Sequence, residues 1–132
     1  MRMKLVTAKL REKLLRNGAW PGADAIPVLK LFDPNGAGTW LIAEMDPEAP
    51  DRLFGLGQPN LASPPEVGVV SLAAMQHYRG RFGIGIERDR CFTGRFALSV
   101  YAGAARRAER IVTSGPELDA AAASIARGVH AP

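Results

Sequence analysis

The side chains best equipped for chemistry in this chain are carboxylates and arginines. Glu44, Asp46, Glu48 and Asp51 crowd one short stretch, and Glu87 and Asp89 bracket Arg88 in another. Carboxylate oxygens at this density could ligate a hard cation. Two carboxylates on neighbouring strands could also divide acid and base roles, with Glu44, Asp46, Glu87 and Asp89 as the set. Local chemistry offers a plainer account of both. Asp-Pro and Pro-Asp form turns, the spacing matches no calcium loop, and strand charges of opposite sign pair across a sheet. The second group is Arg79, Arg81, Arg88, Arg90, Arg106, Arg107 and Arg110. Guanidinium groups so concentrated could meet phosphates or an acidic protein, and a solvated basic face is the ordinary alternative.

No other residue pattern reaches a reactive motif. Gly36-Ala37-Gly38 lacks the third glycine and following helix of a dinucleotide loop, and the Lys-Ser/Thr of a P-loop. Gly80, Gly83 and Gly85 follow a helical stretch and lead into a strand, the reverse of a phosphate cradle. The lone Cys91 reads as a buried structural thiol, and His77 has no evident partner. With one cysteine and two histidines, neither a disulfide nor a zinc site is expected, and no metal or cofactor is expected at all.

These groups must be held by elements that the patterning reveals. Thr7 caps a helix over 8–17 with Leu10, Leu14 and Leu15 on its apolar side, and Asn17-Gly18 reads as a left-handed stop. Val28 to Phe32 and Trp40 to Met45 read as strands joined by the turn-forming run Asp33 to Gly38. Leu53 to Leu56 and Val67 to Val70 add two more, with Gly55 marking a bulge or a close backbone approach. Ser71 caps a short helix from Leu72 to about Arg79. Ile86 to Phe92 alternates as an edge strand that sets Arg88 and Arg90 on one face. Residues 97–110 form a second long helix with Arg106, Arg107 and Arg110 in its last turn. Trp40 and Phe54 read as core. Strands in the middle and helices at the ends predict an α+β domain over 1–112. Its sheet is mostly antiparallel with about four to five strands, and the helices lie near both ends of the chain. Residues 113–132 form an Ala-rich, helical or partly ordered tail anchored by Leu118, Ile125 and Val129.

The chain has 132 residues, 47% apolar and 23% charged, which fits one globular domain and excludes a wholly disordered chain. No apolar run is long enough to span a bilayer and no signal-peptide core is evident, so a soluble, cytoplasmic protein is expected. The net charge of +4 conceals segregation: +5 over 1–16, −5 over 17–78, +5 over 79–112 and −1 over 113–132. Thirteen of the seventeen basic residues are arginine in a chain rich in Ala, Gly and Pro, a bias that a GC-rich genome alone produces.

Several phrases carry a resemblance: KLFDPNGAGTWLIAEMDPEAPDRLFGLG at 30–57, EVGVVSL at 66–72, RGRFGIGIERD at 79–89 and LSVYAGAARRAERI at 98–111. Over roughly residues 4–112 the chain resembles the domain of unknown function 2958 family. Its most specific parts are Thr39-Trp40-Leu41, Glu44-x-Asp46-Pro47, Phe54-Gly55-Leu56 and Ile86-Glu87-Arg88-Asp89. The resemblance implies a small protein of plasmids and other mobile elements, and carries no catalytic residues. The expected function is therefore a non-enzymatic accessory protein of a mobile element that binds a protein or nucleic-acid partner. The rivals are nonspecific DNA or RNA binding through the arginines, and a small enzyme built on the four carboxylates.

Overall fold

The structure, a computed structural model, describes residues 4–126; Val129, one expected anchor of the tail, lies outside them. Large and β-branched apolar side chains suit a pleated, half-buried surface, and the middle of the chain forms strands accordingly. β1 (Leu29–Phe32), β2 (Thr39–Met45), β3 (Arg52–Gln58) and β4 (Glu66–Ser71) follow one another as a meander. The short β5 (Glu87–Arg88) returns to the free side of β1. The sheet order is β4-β3-β2-β1-β5, with every neighbouring pair antiparallel. The expected α+β class, with an antiparallel sheet and helices near both ends, is the one that forms.

Helices cover both faces. Leu14 of α1 (Ala8–Gly18) and Met75 of α2 (Leu72–His77) pack on Leu31, Trp40, Ile42, Met45 and Leu53. On the opposite face, Leu98, Tyr101 and Ala105 of α3 (Leu98–Ala108) pack on Leu41, Ala43 and Leu56. α4 (Pro116–Ala126), within the expected tail, lies against α3 and adds Leu118 and Ala121 to that same core, whereas Ile125, expected as an anchor, is exposed because it falls on the outer side of the helix. Central β2 is therefore buried on both faces, which is why it reads as a continuous apolar run. The expected caps form: Thr7 Oγ1 accepts from the Leu10 N–H at 3.2 Å, and Ser71 Oγ from the Ala74 N–H at 3.1 Å.

Four local expectations are corrected. Gly18 takes no left-handed turn; α1 runs through it and ends at Ala19 with φ −69°. Glycine is required there for close approach, since a Cβ would lie 1.9 Å from the Met45 carbonyl oxygen. The strand expected over 86–92 has two residues. The Asp89 N–H still reaches the Lys30 carbonyl at 2.9 Å, but Asp89 Oδ1 then accepts the Cys91 N–H at 2.9 Å and turns the chain out of the ladder. That turn leaves Cys91 exposed, not buried. Finally, α3 stops at Ala108 because Glu109 adopts φ 60°, which puts Arg110 beyond the helix.

Candidate functional site: a groove with an unpaired glutamate

A bulge in β2 creates the site. Ile42 pairs with Gly55 and Glu44 with Phe54, so Ala43 is an extra residue between them. Trp40 and Ile42 face α1, while Leu41 and Ala43 face α3. Strict alternation would return Glu44 to the α1 face. The extra residue instead places it opposite Phe54, on the α3 face, and returns Met45 to the α1 face beside Leu53. Asn17 of α1 secures this irregularity, its Nδ2 donating to the Ala43 carbonyl at 2.9 Å.

Glu44 opens into a groove of about 480 Å³. Its floor is Phe54, Val67 and Val69 of β3 and β4. Its walls are Gly18 at the end of α1, the loop from Pro21 to Ala25, and the first residues of α3, Leu98 and Ser99. Val67 and Val69 are 46% and 48% exposed, because α3 and α4 cover β2 and β3 but stop short of edge strand β4. The volume lies within the range of ligand-binding clefts.

Three acids and one base line the groove: Asp24, Glu44, Asp46 and Arg52. Asp24 is engaged in structure. Its carboxylate accepts from the Ser99 N–H at 2.9 Å and from the Ser99 hydroxyl, capping the otherwise uncapped start of α3. Asp24 holds φ 55° to do so, an uncommon backbone conformation for a residue with a side chain. Asp46 sits 3.9 Å from Arg52. Glu44 is only 8% exposed, yet it makes no hydrogen bond or ion pair among the described residues.

Burial without a partner raises the Glu44 carboxyl above its ordinary 4.5. The folded protein therefore holds this proton more tightly than the unfolded chain. Glu44 contributes most favourably below 4.5, and that contribution is lost as pH rises through its elevated folded value. Glu44→Gln keeps the shape and removes the charge. The variant is expected to melt above wild type at neutral pH, with the gap closing as pH falls toward 4.5. Asp51 moves the opposite way, held low by the Ser71 hydroxyl and the Ala73 N–H; it titrates in both proteins and cancels in the difference. Paired thermal melts across this range measure the gap; equal melting at neutral pH would contradict the assignment.

The other residues singled out in the sequence fall into separate places. Glu87 and Asp89 belong to the β5 end, where Asp89 pairs with Lys30 at 3.5 Å, and β1 separates them from β2. Glu87 aligns through Phe32 with Thr39, at the opposite end of β2 from Glu44 and Asp46, so the four carboxylates form no joint cluster. The arginines divide as well. Arg88 pairs with Leu31 on the α1 face, and its guanidinium donates to the Lys4 and Leu5 carbonyls at 2.6 and 3.1 Å. Arg79 donates to the Gln76 and Tyr78 carbonyls at 3.3 and 2.7 Å. Arg81 and Arg90 are exposed. Arg106 and Arg107 end α3 on the other face, with Arg110 just past them, all three exposed. Among the described residues no three His, Cys, Asp or Glu side chains converge as metal ligands.

Sequence reasoning passed over three residues. Gln58 is fully buried, donating to the Ser63 and Glu109 carbonyls and accepting from the Ile111 N–H, so it ties the end of α3 to the loop after β3. Asp24 sits in a stretch that reads only as loop. Phe82, between Arg81 and Gly83, is 90% exposed with φ 60°. A polar residue at the end of an apolar strand was the available signal for Gln58. Nothing local marked the other two.

The architecture thus defines a class: an antiparallel five-stranded α+β domain, helices on both faces, with an acidic-lined apolar groove beside edge strand β4. The family model described as protein of unknown function (DUF2958) matches residues 5–112, and the chain belongs to that family. Comparisons with curated proteins and with solved structures return no match. No helix among the described residues is long and apolar enough to cross a membrane.

Proposed function

We propose that this protein is a non-enzymatic binding module that engages a protein partner through the groove beside β4. The mobile-element setting that the family resemblance implies makes it an accessory protein of such an element, acting in the cytoplasm. The observation that carries the reading is the uncovered apolar floor of Phe54, Val67 and Val69 within a concave surface. A concave, mostly apolar surface with a few polar groups at its edge is the usual form of a binding cleft. The enzyme reading loses support because Glu44 and Asp46 stand apart from Glu87 and Asp89.

Val67→Glu combined with Val69→Glu tests it. Both side chains are exposed, so folding should change by no more than about 0.5 kcal/mol each. Immobilised wild type should capture host-lysate proteins even after nuclease treatment, and the double variant should lose that capture while its circular dichroism is unchanged. Capture that nuclease abolishes, or that the double variant retains, would exclude the groove.

One observation favours nucleic acid as a second reading. Phe82 stands exposed in a turn just after Arg79 and Arg81, and an exposed aromatic ring close in sequence to arginines can stack on an unpaired base. On this reading single-stranded DNA binds with strong salt dependence, and Phe82→Ala weakens it. Arg106→Ser, Arg107→Ser and Arg110→Ser together, at the end of α3, should leave both DNA binding and melting nearly unchanged. Fluorescence anisotropy at low and physiological salt separates these outcomes. A loss caused by the triple variant alone would place any nucleic-acid contact at the end of α3.

A further inference from the structure

The groove differs from a plain apolar cleft in one respect: its most buried ionisable group makes no hydrogen bond or ion pair among the described residues. Asp24 is held by Ser99 and Asp46 faces Arg52, which leaves Glu44 as the lining acid that none of the described residues pairs. Its carboxylate oxygens still open to the groove, while the burial of the rest of the side chain thins their hydration, so a counter-charge placed there is less screened than one at an open surface. The fold supports this arrangement, with a bulge and a side-chain hydrogen bond from Asn17 directing Glu44 to the groove face. A cation supplied from outside would provide that counter-charge. The lining favours a cation in general, with three acids against one arginine, and the 17–78 segment that forms most of the groove carries a net −5.

We infer that the groove receives an amphipathic segment of a partner protein that presents a lysine or arginine to Glu44 between apolar side chains that cover Phe54, Val67 and Val69. This rests on the groove reading above and names its ligand chemistry. Val67 and Val69 set the apolar half of the requirement, since their exposed faces need a hydrocarbon cover. Glu44 sets the cationic half, and its burial makes the pair sensitive to geometry in a way that a surface pair is not. An anionic segment is disfavoured at the same position by Glu44, Asp24 and Asp46 together. The partner is thus basic and apolar, the reverse of the acidic partner that the arginines alone suggest.

The test uses the full chain and a library of short random peptides displayed on phage. Selection on wild type should enrich peptides with one Lys or Arg flanked by apolar residues, and Val67→Glu with Val69→Glu should abolish their binding. Each enriched peptide is then synthesised with its cation and with glutamine in its place. Glu44→Gln should weaken the cationic peptide about tenfold, equivalent to 1.4 kcal/mol. It should bind the two peptide forms alike, whereas wild type prefers the cationic one by the same factor. A merely structural Glu44 would lower binding of both forms equally and leave the preference intact. Equal affinity of Glu44→Gln and wild type for the cationic peptide overturns the inference and leaves the groove standing. The same holds for enrichment of purely apolar peptides. Enrichment of nothing, or of peptides that the valine variant still binds, overturns the groove reading and this inference with it. Sedimentation showing a dimer that the valine variant dissolves would assign the groove to a second copy of the chain and also overturn the inference.

Discussion

Replacing Trp40 by alanine is expected to lower the stability of this protein by about 3–5 kcal/mol, the usual cost of emptying a large aromatic site. Trp40 is 9% exposed on β2, in the core beneath α1 and α2. Its ring lies over Gly57 and Gly38, close enough that a Cβ on either would fall within 2.7 or 2.8 Å of it. No neighbouring side chain at those two positions can move into the space the indole leaves. A shallow depression beside Gly55, Gly57 and Gly68 already borders Trp40, so truncation deepens it toward the core. The loss would be a large share of the roughly 5–15 kcal/mol that a domain possesses. Urea unfolding followed by far-UV circular dichroism measures it, as a lower midpoint at constant slope. Fluorescence supplies a second check, because the remaining Trp20 is 73% exposed and should emit at long wavelength in the folded variant. A soluble Trp40→Ala protein with unchanged melting would show that the ring is not a core element.

Gly55→Ala is the second large effect, expected to cost about 3 kcal/mol or more, at or beyond the upper end of overpacking penalties. A Cβ there would lie 2.0 Å from the Leu41 carbonyl oxygen and 2.9 Å from Ile42 Cα. These are backbone atoms of the neighbouring strand, next to the β2 bulge, and they cannot rotate away as a side chain can. Relief requires the β2–β3 ladder to separate where Ile42 pairs with Gly55 and Glu44 with Phe54. The substitution should therefore also disturb the direction of Glu44 and the groove it lines. Gly68→Ala, opposite Gly55 on β4, is the control, since nothing lies within 4 Å of its added Cβ. It should be neutral or stabilising by up to about 1 kcal/mol, through a less flexible unfolded chain. Equal melting of the two variants would show that the strands tolerate the intrusion.

The part of this protein readable in its sequence is the part governed by neighbours along the chain. Thr7 and Ser71 announce their helices because a capping side chain bonds to a backbone group two or three residues on. Apolar runs over 28–32 and 40–45 announce strands, and the glycine at 55 announces a close approach, because pleating and burial act on each strand in turn. Order of elements and turn chemistry then suffice for the antiparallel α+β class, and quoted phrases suffice for the family. Tertiary structure decided everything that depends on which face a residue takes. One inserted residue at Ala43 turns Glu44 from the α1 face to the α3 face, and no local signal distinguishes Ala43 from an ordinary strand residue. Packing α1 and α3 on opposite faces splits the arginines, which the sequence shows only as a basic segment. The strand at 87–88 ends early through a local turn, Asp89 Oδ1 accepting the Cys91 N–H two residues on, a signal that the alternating pattern of 86–92 hides. The groove itself exists because α3 and α4 leave β4 uncovered, and the placement of helices across a sheet is a property of the packed whole.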